Sequence, residues 1–419
     1  LQQRSGTLIL CLTFPDLGKG STQLFLADPG NFVILASLLC ETSGAGFPRK
    51  LVEGPAGQVA ISYPANVPGS TTSRIRIFES DQLLNAPVPQ PVTWPVTASS
   101  TPDGQALDVG LVHNALAYDP GRNVYYASVP GSVIGAGNSI ATLDPATGQV
   151  THSAPIGSDP SALALAADGS VLYVSLDGSG EVLRLALPSM ATQARVRLAF
   201  DPGFNRARIS SIAVSPADAT MAAVTTFDSG VALLRDMVFQ PQVASTLTVL
   251  GTNLLAFDTA GSTLYGLDSA STEFGLRRFD VLVDGVAEQA KVIAPIEQGV
   301  RALSFTGTRV IAGKAVYDAP ALNLNGTVPG ASDCLLARAS GQLLCLTSPN
   351  FPSPGPAHLL LASPDTFVIS ASLLFYASEP RGLGRQLVQG PSGQVAVSYP
   401  LPGFFRPPSV RLFTSAQLP

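Results

Sequence analysis

Apolar residues in this chain come in short runs of strand length, each bounded by Asp, Pro, Gly or Ser, and never at the spacing of a long amphipathic helix. The clearest stretch lies between Asn138 and Leu187. Ser139 to Leu143 is followed by the turn Asp144-Pro-Ala-Thr-Gly148, and Ala162 to Ala166 leads through Asp168-Gly169 into Val171 to Ser175. Two apolar strands joined by a tight turn, then two more polar outer strands, predict a four-stranded antiparallel blade of a β-propeller.

The same punctuation recurs at Asp119-Pro-Gly121, Pro216 to Asp218, Thr259 to Gly261 and Gly307. Its spacing of about 48 residues suits four-stranded blades with short loops. Two further blades are expected before residue 100, with turns at Ser5-Gly6 and Pro55 to Gly57. These two have close copies at the other end. Leu387 to Pro400 repeats Leu51 to Pro64 almost residue for residue, and Leu344 to Thr347 repeats Leu10 to Thr13.

The pattern Asp144 to Gly148, Gly157, Pro160, Asp168-Gly169 and Tyr173-Val174 resembles the YVTN-type propeller repeat of secreted and surface-layer proteins, itself similar to the repeats of lactonase-like propellers. The resemblance implies a fold more directly than an activity, since propellers host unrelated functions. The fold class expected is therefore all-β, a propeller of four-stranded antiparallel blades with nine blade-like repeats. Two blades fall in 1–100, five in 101–332 and two in 333–419. Nine blades in one continuous ring is the simpler expectation for one chain; the alternative is a seven-bladed ring plus two duplicated blades.

A propeller must latch its last blade to its first. The last blade ends at its third strand, Ser409 to Phe413, and the first has a short inner strand. Leu1 as first residue and Met190 as first methionine suggest a processed product. The expected unpaired edges, at Leu8, Ile9 and Leu10 and at Val410, Leu412 and Phe413, are candidates for assembly by strand addition.

Composition narrows the partners. Charged residues make up 13% of the chain, the net charge is −5 and the mean hydropathy is +0.29. Nucleic acid needs a positive stripe that is missing here, and no apolar run reaches the length of a membrane span. A weakly charged surface does little to oppose association, so other copies of the chain or cell-surface components are the expected partners.

Candidate chemistry is sparse. Cys334 and Cys345 flank Ser340-Gly341 and are the disulfide candidates, provided the hairpin register brings them to one face. Cys11 copies Cys345, with its equivalent partner expected before Leu1, and Cys40 is expected two strands away from it. His113, His152 and His358 fall in three blades and read as loop or strand-edge residues, not zinc ligands. Asp119, Asp144, Asp168, Asp201 and Asp258 read as Asx-turn residues; Asp177 and Glu181 around Gly178-Ser-Gly180 form the one local calcium candidate. Asn325-Gly-Thr327 matches a glycosylation sequon or a tight Asn-Gly turn. Tyr125, Tyr126, Tyr173 and Tyr265 are expected on inner strands as core or channel lining.

No catalytic, cofactor-binding or metal site is expected, and no cofactor. The function predicted is a non-catalytic, secreted structural or adhesive propeller that self-associates through blade edges. The alternative is a lactonase-like propeller enzyme or a small-ligand receptor using the central channel.

Overall fold

The computed structural model describes residues 92–419 except 134, 199–208, 227–229, 241–251, 270–274, 294–301, 338–339, 348–354, 380–385 and 400–408. Of the first 91 residues it describes 9–12, 22–27, 34–41, 50–53, 58–63 and 74–78. Leu8, Asp201 and the turns at Ser5-Gly6 and Pro55 to Gly57 lie outside the described residues.

Two compact units divide the chain. Leu1–Thr93 with Gly131–Ser139 and Ala154–Gly157 forms one; Trp94–Pro130, Ile140–Ser153 and Ser158–Pro419 form the other.

The first unit holds two three-stranded antiparallel sheets. One is β1 (Ile9–Leu12), β2 (Thr22–Ala27) and β3 (Ile34–Glu41); the other is β4 (Lys50–Glu53), β5 (Val59–Tyr63) and β6 (Arg74–Phe78). Ile9 and Leu10 pair with Ala27 and Leu26. Cys11 on β1 and Cys40 on β3 are separated by β2, as expected.

The second unit begins with the hairpin β7 (Val96–Thr101) and β8 (Gly104–Val109). Blade 1 follows as β9 (Leu116–Asp119), β10 (Val124–Val129), β11 (Ser139–Leu143) and β12 (Val150–His152). Blade 2 is β13 (Pro160–Leu165), β14 (Val171–Leu176), β15 (Glu181–Ala186) and β16 (Ala191–Arg197). Blade 3 is β17 (Ile209–Val214), β18 (Met221–Thr226), β19 (Gly230–Arg235) and β20 (Val238–Gln240). Blade 4 is β21 (Leu254–Phe257), β22 (Thr263–Leu267), β23 (Gly275–Leu282) and β24 (Gly285–Ile293). Blade 5 is β25 (Leu303–Phe305), β26 (Arg309–Ala312), β27 (Ala315–Asp318) and β28 (Asn323–Thr327). Blade 6 is β29 (Ala331–Leu336), β30 (Leu343–Thr347), β31 (Gly355–Ala362) and β32 (Ile369–Glu379). Blade 7 takes β33 (Gln386–Gln389), β34 (Gln394–Tyr399) and β35 (Ser409–Thr414) from the end of the chain, then β8 and β7 from the start of the second unit.

The innermost strands β9, β13, β17, β21, β25, β29 and β33 each contact the next, and β33 returns to β9. The ring therefore closes at seven blades. Of the two architectures left open by the sequence, this is the seven-bladed ring with two duplicated sheets outside it, and the chain is not one continuous nine-bladed ring. Residues 96–101, expected in part with the second N-terminal blade, belong instead to blade 7.

Closure corrects the expected C-terminal edge. Val410, Leu412 and Phe413 pair with Val109, Leu107 and Ala106, and all three are buried. The fourth strand comes from upstream, so these residues offer no free backbone.

Strand periodicity explains the packing. Alternate residues of a strand point to opposite faces, and here both faces are covered by neighbouring blades. On β18, Ala222 and Val224 pack with Val171 and Tyr173 of blade 2, whereas Met221 and Ala223 pack with Leu264 and Phe279 of blade 4. The same alternation sends Val310 towards Tyr265 of blade 4 and Ile311 towards Cys334 and Cys345 of blade 6. Tyr125, Tyr126, Tyr173 and Tyr265 stand on the second strands and are buried, which places them in the core between sheets.

Four turns between third and fourth strands share one form. Gly148, Met190, Leu322 and Phe367 each donate their amide to the carbonyl four residues back and have φ of 70°, 58°, 57° and 60°. Phe367 packs where Gly326 leaves room: a Cβ at Gly326 would come within 2.4 Å of the ring. Asn325-Gly-Thr327 is thus part of β28 and not a tight turn. The exposed Asn325 side chain donates to Asp318.

Candidate functional site

The seam of blade 7 is built by side chains that reach across it. Arg411 is buried on β35. Its guanidinium donates to the Asp108 carboxylate on β8, to Ser99 Oγ on β7 at 3.3 Å and to the Phe375 carbonyl of blade 6 at 3.0 Å. It also lies 4.3 Å over the Tyr376 ring. One cation therefore ties together the first and last strands of the second unit and the preceding blade, with its desolvation offset by an acid, two neutral acceptors and an aromatic face. The turn residue Asp103 adds a bond from the Leu374 amide, 2.7 Å.

His113 fastens the next step of the chain. It precedes β9 and is fully buried, with Nδ1 2.9 Å from the Leu111 carbonyl and Nε2 2.6 Å from Ser398 Oγ on β34. Burial pushes its pKa down to about 4, against a smaller upward pull from the Leu111 carbonyl. Ser398 belongs to a set of hydroxyls at the same register of the second strand, with Ser128, Ser175 and Thr225 in blades 1 to 3. Ser128 accepts from the Ala115 amide and donates to the Ser161 carbonyl of blade 2; Ser175 accepts from the Ala162 amide; Thr225 bonds Ser210.

A second set of bonds joins blades around the rim. Arg235 donates to the Leu282 carbonyl, Arg278 to the Pro320 carbonyl and Arg309 to the Pro364 carbonyl, each in the next blade's turn between third and fourth strands. Arg184 meets Asp236 in the equivalent turn at 2.7 Å. At the last seam Gln394 takes this part, donating to the Pro145 carbonyl at 2.8 Å while accepting from Tyr125 Oη at 3.3 Å.

Beside Gln394 two adjoining clefts open between blades 7 and 1, of about 390 and 380 Å³. They share Asn123, Pro391 and Ser392; Leu412 and Gln394 line one, Tyr118 and Pro419 the other. Their walls are held firmly. Gly390 lies so close to Tyr125 that a Cβ would stand 2.0 Å from its hydroxyl, and Asn123, at φ 54°, accepts from Tyr118 Oη. The lining side chains are uncharged and offer hydrogen bonds and apolar contact.

The sequence candidates distribute as follows. Cys334 and Cys345 form the disulfide; they are directly opposed on β29 and β30 with Cα atoms 4.1 Å apart, the close spacing of an antiparallel non-hydrogen-bonded pair. Asp119, Asp144, Asp168 and Asp258 accept amide bonds from their own turns. The carboxyl of Asp144 is lowered chiefly by the Thr147 amide and that of Asp168 chiefly by the Ser170 amide, as Asx-turns require. Glu181 accepts from Ser179 and pairs with Arg195 at 3.2 Å. His152 meets Trp94 edge-on, and His358 lies beside Ser372, so the three histidines do not converge. Arg411, Asp108 and Gln394 were not legible as site residues.

A buried ion pair in blade 4, Arg277 with Glu288 at 2.9 Å, was likewise missed.

No family model matches the chain, and no curated protein matches it in sequence. Solved structures with a similar fold include the β-propeller domain of Cps50 (Swd1) from Myceliophteria thermophila, with a TM-score of 0.54 and 11% identity over 77% of this chain and 100% of that one. Hydrazine synthase from Kuenenia stuttgartiensis gives a TM-score of 0.50 and 14% identity over 76% of this chain and 98% of that one. At such identities the likeness concerns the fold, which is a β-propeller.

Proposed function

We propose that this chain is a non-catalytic propeller that works by binding proteins, as a secreted structural or adhesive subunit that associates with copies of itself. The observation that carries this reading is an arc of exposed apolar residues on four successive blades. Val238, Val283, Leu324 and Val368 occupy or adjoin the turn between third and fourth strands in blades 3, 4, 5 and 6, and Val283 is 84% exposed. The rim bonds from Arg235, Arg278 and Arg309 link these turns from one blade to the next, so the exposed apolar residues recur blade after blade along one rim. A chain with so few charges does little to keep such a rim apart from another.

The YVTN-type resemblance and a disulfide within the ring support an extracellular or cell-surface setting, where disulfides persist. Assembly through the expected β35 edge is not part of this proposal, since β8 covers it.

Sedimentation velocity of the wild-type chain beside a Val283→Asp, Leu324→Asp, Val368→Asp variant tests the reading. The wild type should form species larger than one chain and the variant should sediment as a monomer with an unchanged far-UV spectrum. A monomeric wild type, or undiminished assembly by the folded variant, would overturn it.

A further inference from the structure

The sheet β4–β5–β6 is a second copy of the sheet that closes the ring, and the copy extends to register. In the ring, Val395, Ala396, Val397, Ser398 and Tyr399 oppose Phe413, Leu412, Arg411, Val410 and Ser409. In the copy, Val59, Ala60, Ile61, Ser62 and Tyr63 oppose Phe78, Ile77, Arg76, Ile75 and Arg74. Arg76 therefore occupies the register position of Arg411, the residue that binds Asp108 of the closing strand.

The two sheets differ in what lies beyond the third strand. In the ring, β8 pairs along β35, and Leu412 is 1% exposed. Among the described residues no strand lies beyond β6, and Ile77, at the position of Leu412, is 57% exposed. Backbone pairing, an apolar cover and an acid opposite the arginine are what β8 supplies to the ring.

We infer that the outer edge of β6 is a docking site for an extended strand of another protein, with apolar residues at alternate positions and a carboxylate opposite Arg76. The partner's chemistry is read from the ring itself. Val109, Leu107 and Ala106 face Val410, Leu412 and Phe413 there, and Asp108 faces Arg411. Strand addition to a sheet edge draws its affinity from main-chain hydrogen bonds and its choice of partner from the side chains. The site is independent of the apolar arc: a chain unable to associate through blades 3 to 6 would still present β6.

The test uses the full chain and a synthetic peptide spanning residues 94–112, the ring's own closing hairpin, labelled with a fluorophore and a photo-cross-linker. Fluorescence anisotropy should show saturable binding, and the cross-link should map to 74–78. Arg76→Glu should weaken binding by about tenfold or more, and a peptide carrying Asp108→Arg should recover it on that variant. Absence of binding, a cross-link at 409–414, or affinity indifferent to both charge reversals would overturn the inference. An excess of unlabelled full chain that displaces the peptide with the same Arg76 dependence would identify a second copy as the strand donor.

Discussion

Arg411 donates to Asp108 across the closing seam although 303 residues separate them in sequence. The guanidinium is almost wholly shielded, so removing one partner leaves a buried charge uncompensated. Asp108→Leu, which leaves the shielded guanidinium without its acid, should lower stability to urea by about 3–5 kcal/mol. Arg411→Leu combined with Asp108→Leu should recover part of that loss, because the pair is then replaced by apolar contact. Equilibrium unfolding of the four proteins of the cycle measures both effects.

His113 gives the seam a pH dependence of defined sign. Its folded pKa of about 4 lies below the ordinary 6.5, so the unfolded chain takes up the proton first as pH falls. The stability His113 supports is complete above about pH 6.5, declines between 6.5 and 4, and changes no further below that. The span corresponds to about 3 kcal/mol. Wild type and His113→Gln, unfolded in urea at steps from pH 7.5 to 4, should differ in slope within that window; parallel curves would refute the assignment.

Met190 occupies the left-handed position that Gly148 fills in the equivalent turn, and it lies only half-buried. Relief of that backbone strain exceeds the entropic cost of a glycine. Met190→Gly should therefore raise stability by about 1 kcal/mol, read as a shift in the urea midpoint. Phe367 has the same conformation but packs against Gly326, so the corresponding change there should destabilise.

Cys334 and Cys345 close an 11-residue separation inside the core between blades 5 and 6. Breaking the bond by Cys334→Ala with Cys345→Ala should cost about 2–3 kcal/mol. Because both sulfurs are buried, a thiol-reactive probe should label Cys334 and Cys345 of the wild type only after unfolding and reduction, which peptide mapping by mass spectrometry can follow.

Most of the blades were legible because their signals are local. Asp168-Gly169 lies between Leu165 and Val171, and a tight turn between two apolar runs announces a hairpin within a dozen or so residues. β8 carried no such signal. Gln105 to Val109 mixes polar and apolar residues, follows a Pro-rich stretch and finds its partner at the far end of the chain, so nothing nearby reveals which edge it covers. Arg411, alternating with Val410 and Leu412, has the pattern of a solvent-facing residue; only β7 and β8 and blade 6 make it a buried one. The duplication was fully legible, yet sequence likeness could not decide which copy joins the ring.

Every blade boundary of the ring is crossed by continuous polypeptide, and the sole break in its covalent circumference lies within blade 7, between β35 and β8. Opening the circle without cutting the chain therefore means unzipping a backbone ladder from Val410 to Thr414 all at once, not sliding one sheet off another. The ring should consequently behave as a single elastic hoop, yielding abruptly at one joint instead of loosening blade by blade.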